Sequence, residues 1–127
     1  MLITRHTIVR SIVAALCWLL FIGTKAQGPP PLDVVQAVII GDLNETQVRT
    51  AMHVLHAIPG EEMSRIDSRS RNLYMHVKPD CAISRHQLSI YLAPLGLHVR
   101  CYVRGPLTSA PYHELDQRSC EPAPLRR

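Results

Sequence analysis

The side chains best suited to gripping a soft ion or exchanging thiols are Cys81, Cys101 and Cys120, with His86 five residues beyond Cys81. Thiolate and imidazole suit Cu(I) and Zn(II), so Cys81, His86 and Cys120 form one conceivable ligand set, with His113 available from the same tail. Five residues on a helix put Cys81 and His86 on different sides, and no second Cys-His pair supports them. The bland alternative is a disulfide at Cys81 beside a solvated His86. No C-x-x-C points to thiol exchange, and no G-x-S-x-G, H-E-x-x-H or phosphate-cradling glycine loop points to catalysis. His53 and His56 fall outside the apolar stripe of their helix and are expected to face solvent. The chain reads as non-enzymatic.

The elements that must position these groups follow a pattern that runs twice. Asp33 to Ile40 is a Val- and Ile-rich strand, apolar on both faces and so central in its sheet. From Asn44, the residues Val48, Ala51, Met52, Leu55 and Ile58 fall on one helical face, and Pro59-Gly60 stops it. Glu62 to Ser68 reads as a polar edge strand. Leu73, Met75 and Val77 then alternate with Tyr74, His76 and Lys78, a strand with one buried and one wetted face. Ala82 to Leu92 predicts a second helix, closed by Pro94 and Gly96, and Leu97 to Arg104 a fourth strand. Two strand-helix-strand halves predict an α+β ferredoxin-like βαββαβ sandwich over residues 33–104, with an antiparallel sheet of order 4-1-3-2. The Pro-containing segment 105–127 reads as an irregular tail.

Before this domain, Arg5 and Arg10 precede an apolar run from Ser11 to Ile22, and Thr24 and Ala26 are small. That pattern predicts a signal peptide over residues 1–26, cleaved between Ala26 and Gln27, with a Pro-rich leader over residues 27–32. The run is shorter than the ~20 residues of a spanning helix, so no membrane insertion is expected once the signal is cleaved. A secreted or periplasmic location follows. The 127-residue chain holds 14 Lys and Arg against 10 Asp and Glu. Losing Arg5, Arg10 and Lys25 leaves eleven against ten, so the mature chain lacks the positive field of a nucleic-acid binder.

In an oxidising compartment three remaining cysteines imply one disulfide and one free thiol. Cys101 alternates in phase with Leu97, Val99 and Val103 and is expected in the core. The tail leaves strand 4 near the start of helix 2, so the expected pair is Cys81 with Cys120.

The first half also resembles the heavy-metal-associated domain family, which carries G-M-x-C-x-x-C at its first strand-helix junction. Here Gly41 takes the glycine place, Asp42 the methionine, and Asn44 and Gln47 the two cysteines; the resemblance spans Val35 to Val103. It implies a soft-metal loop whose two sulfur ligands are replaced by neutral amides. Those amides suit helix capping instead, Asn44 as N-cap and Gln47 reaching back. No cofactor is expected, with a Cu or Zn ion as the alternative. Asn44-Glu45-Thr46 is in addition an N-glycosylation acceptor pattern.

By parity, the sheet face away from the helices collects Tyr74, His76 and Lys78 with His98, Arg100, Tyr102 and Arg104. Interleaved aromatic and basic residues suit a partner protein or an acidic glycan. A wetted sheet face needs no ligand at all, and both readings stand. The function expected is that of an exported binding or accessory module.

Overall fold

The computed structural model describes residues 28–124. The expected signal peptide and residues 125–127 lie outside the described residues. The order of elements is β1 (Asp33–Ile40), α1 (Glu45–His56), β2 (Glu61–Ile66), β3 (Asn72–Val77), α2 (Arg85–Leu92), a 3-10 turn (Ala93–Leu95) and β4 (His98–Pro106). The strands form one antiparallel sheet of order β2-β3-β1-β4. This is the ferredoxin-like βαββαβ fold, and the expected 4-1-3-2 order is the same sheet named from its other edge. No helix among the described residues is long and apolar enough to cross a membrane.

Both helices lie on one face of the sheet. Val35, Ala37 and Ile39 of β1, with Leu73, Met75 and Val77 of β3, meet Ala51 and Leu55 of α1 and Leu88 and Leu92 of α2 in the main core. Each fully buried leucine there contributes about 2 kcal/mol by leaving water. The side chain of Asn44 accepts the Gln47 N–H to open α1, and that of Ser84 accepts the Gln87 N–H to open α2. Helix α2 therefore begins at Arg85 rather than Ala82, and Cys81 sits in the loop before it.

One irregularity in β4 resets the sheet. Val38 pairs with Arg100 and Gln36 with Val103, so Cys101 and Tyr102 together oppose the single residue Ala37. Cys101 takes φ 59°, a left-handed conformation uncommon for a residue with a side chain. This bulge reverses the in-out alternation of everything that follows it. Leu97 and Val99 face the helices as expected, whereas Cys101 turns to the opposite face and packs against Val38 and Leu115 in a second, smaller core.

The tail beyond Pro106 lies across that opposite face. Leu107 N–H donates to Leu32 O, Gln36 Nε2 to His113 O, and Gln117 Nε2 to Ser70 O, while Leu115 is buried. A bridge between Leu115 and Pro122 encloses a turn over Asp116 to Cys120. The disulfide joins Cys101 to Cys120, with 5.0 Å between their Cα atoms. This corrects the expected Cys81–Cys120 pair: the bulge aims Cys101 at the tail instead of the helices, and among the described residues Cys81 is the free thiol, buried.

Candidate functional site

The loop between β1 and α1 is held by its own amides. Asn44 Oδ1 accepts from Gln47 N–H at 2.8 Å, while Asn44 Nδ2 and N–H donate to the two carboxylate oxygens of Asp42. Gln47 does not reach back to complete a capping box. Its Nε2 donates to Leu95 O, tying the start of α1 to the 3-10 turn. Gly41 has φ 133°, and a Cβ there would lie 2.8 Å from Gly96 O, so the two loops touch at a position only glycine fits.

The two amides are thus committed to closing a helix and joining two loops. A soft metal does not fit this donor set, because neutral amide groups replace anionic sulfur. The other conceivable ligands do not converge. Cys81 is buried, its backbone N–H donating to Lys78 O, and a Cβ on Gly60 would come within 2.8 Å of its own. It follows β3, whose end Val77 pairs with Asp33, whereas the Asn44 loop follows Ile40 at the opposite end of β1. Cys120 is bonded to Cys101, and His86 is exposed on α2. Among the described residues no group of three or more His, Cys, Asp or Glu is placed to hold an ion.

The expected interaction face is brought together only in part. Tyr74, His76, His98 and Arg100 do lie on the face away from the helices, but β1 separates them: Tyr74 and His76 pair with Gln36 and Val34, whereas Arg100 and His98 pair with Val38 and Ile40 toward the other end of that strand. Arg100 donates to Arg118 O of the tail. Tyr102 and Arg104 do not belong to it, because the bulge at Cys101 turns them to the helix side. Tyr102 Oη donates to Ile83 O, and its desolvation there raises the phenol pKa above the ordinary value. Arg104 clamps the loop before α2, donating to Cys81 O at 2.8 Å and Ile83 O at 3.0 Å while pairing with Asp33 at 3.0 Å. Lys78 lies just past β3 and is exposed, 3.7 Å from Glu62.

What the sequence reading missed is the contribution of the tail. Tyr112 meets Tyr74 edge to face at 4.8 Å, and Tyr74 meets His76 the same way at 5.1 Å, with Tyr74 Oη and His76 Nε2 3.0 Å apart. Beside this aromatic row runs a groove of about 290 Å³, lined by Val34, Gln36, Tyr74, Val103, Leu107, Pro111 and Tyr112. Val103, Leu107 and Tyr112 stay 47%, 40% and 44% exposed. Desolvation raises the Tyr112 phenol pKa as well, and Glu114 adds to it. The one available signal was the apolar and aromatic content of a segment with no secondary-structure period.

No family model matches the chain, and no curated protein does either. Two solved structures are similar to it. One is the N-terminal domain of a potential copper-translocating P-type ATPase from Bacillus subtilis in its Cu(I)-loaded state, 16% identical, TM-score 0.49, matched over 54% of this chain and 85% of that one. Another is a copper binding domain from HMA7, a P-type ATPase, 9% identical, TM-score 0.46, matched over 60% of this chain and 95% of that one.

Proposed function

We propose that this chain is a non-catalytic protein-interaction module, exported from the cytosol, whose binding surface is the groove between the tail and the sheet. The observation that carries this reading is the cluster of exposed apolar groups, Val103, Leu107 and Tyr112, set beside Tyr74 and His76. Tyrosine in a partly dry, well-supported site is the residue type that dominates interface energetics. The apolar character of the groove favours a partner protein over an acidic glycan. Export is supported by the Cys101–Cys120 disulfide, which suits an oxidising compartment, and by the leader pattern. Copper handling, the printed property of the two similar domains, is not carried onto this chain, because Asn44 and Gln47 offer no sulfur and their amides are already engaged.

The test is comparative capture from the extracellular fraction of the source. The immobilised mature protein is compared with a Val103→Ser, Tyr112→Ser double variant and with His53→Ala on the exposed side of α1, all checked for folding by circular dichroism. A partner whose capture falls roughly thirtyfold or more in the double variant alone, the loss of one hot spot, supports the groove. Identical captured sets for all three proteins, or none for the wild type, contradict it.

A further inference from the structure

The acceptor pattern Asn44-Glu45-Thr46 stands where the folded chain leaves all three residues exposed. Chance matches to this pattern are common, so its placement decides its meaning. The chain has two asparagines, and the other, Asn72, is 2% exposed and lacks the pattern. At Asn44 the two amide atoms divide their duties. Oδ1 accepts from the Gln47 N–H and caps α1, while Nδ2 points outward to the exposed carboxylate of Asp42 at 3.1 Å. We infer that Asn44 is a glycan attachment site, N-linked through Nδ2, when the chain passes through a secretory lumen that carries out this modification.

The chemistry leaves the local structure intact. Nδ2 bonds to the anomeric carbon of an oligosaccharide carried on a lipid diphosphate, the bond from that carbon to phosphate breaks, and Nδ2 loses one proton. The product is still an amide. Its Oδ1 keeps the capping hydrogen bond, and its remaining N–H can serve Asp42. The neighbouring side chain that packs inward, Leu43, lies before the acceptor and not over it. Transfer acts on the entering, unfolded chain, so the start of α1 at Glu45 is no obstacle to it; the folded structure has only to accommodate the product.

The position also fixes what the glycan would cover. Asn44 follows the Ile40 end of β1, whereas Val103 to Pro106 pair with Gln36 to Asp33, roughly 13 to 23 Å from Ile40 along the strand, and Leu107 bonds to Leu32 beyond them. A glycan there shields the β1–α1 loop and leaves the groove free. The inference does not rest on what the groove binds.

The experiment expresses the full chain, with its own leader, in cultured animal cells and compares wild type with Thr46→Ala and Thr46→Ser. Thr46→Ala removes the acceptor pattern without touching the Asn44 cap, so a folding defect does not confound it. The expected result is secreted protein that gains mobility in one step on digestion with peptide N-glycosidase. Asn44 is converted to Asp in the peptide ending at Arg49, the shift is lost in Thr46→Ala, and it is retained in Thr46→Ser. Secreted wild type with unmodified Asn44, or a shift that survives Thr46→Ala, overturns the inference.

Discussion

Asn72 and Leu115, 43 residues apart, exchange two hydrogen bonds: Asn72 Nδ2 donates to Leu115 O at 3.1 Å, and Leu115 N–H donates to Asn72 Oδ1 at 2.8 Å. The amide thereby does for the tail what a neighbouring strand would do for a backbone. It is the only buried polar side chain besides Ser64 among the described residues, and its second donor contact, to Ser70 O, completes its bonding. Replacing it with Ala strands the buried N–H and C=O of Leu115, a cost of about 1–3 kcal/mol. Thermal unfolding of Asn72→Ala reads that loss, and amide exchange at Leu115 rises with it. An unchanged midpoint with a protected Leu115 amide contradicts the tether.

The Cys101–Cys120 bond closes the same strap covalently. For a loop of this length, loop-closure entropy stabilises by about 3 kcal/mol. A Cys101→Ala, Cys120→Ala variant loses that much in denaturant midpoints, and trypsin cuts it faster after the exposed Arg118. Equal resistance of the oxidised protein and the variant means that the tail docks without the bond.

Asn44 closes the first turn of α1 with one accepted hydrogen bond. Asn44→Ala is expected to cost about 1 kcal/mol, as caps of this kind do. Asn44→Asp keeps the acceptor and is expected to unfold close to wild type. Chemical denaturation of both distinguishes a cap from a residue with another duty.

Acid reaches the tail turn through Asp116. The backbone N–H groups of Ser119 and Arg118 both donate to Asp116 Oδ1 at 2.9 Å and hold its carboxyl below the ordinary 3.8. A depressed folded pKa stabilises the turn above the unfolded value, and that stabilisation is lost as pH falls through the folded one. The Ser119 amide resonance is therefore expected to titrate below 3.8, and to lose that step in Asp116→Asn. Titration at or above the ordinary value removes the effect.

Most of the fold was legible because it rests on periodicity. The stripe Val48, Ala51, Met52, Leu55 and Ile58 marks α1, and β1 spans Asp33–Ile40 as its composition predicts. The disulfide was not legible, and one residue explains why. The alternation Leu97, Val99, Cys101, Val103 continues unbroken in sequence, while the left-handed turn at Cys101 breaks it in space. No residue type announces such a bulge; a glycine would have. The same slip put Tyr102 and Arg104 on the wrong face.

The tail was illegible for a different reason. Its docking depends on Asn72, Gln36 and Gln117 meeting main-chain groups of distant segments. Hydrogen bonds of that kind leave no periodic trace. Gln47, expected to cap its own helix, likewise finds its partner 48 residues away at Leu95.

The most direct test of a module that binds a partner and not a soft ion is titration with Cu(I) and Zn(II) against a competing chelator. It is done with the Cys101–Cys120 disulfide intact and Cys81 as the free thiol. The account predicts no stoichiometric uptake of either ion by wild type, Asn44→Ala or Cys81→Ser. Uptake of one equivalent by wild type that disappears in Asn44→Ala or Cys81→Ser would contradict it.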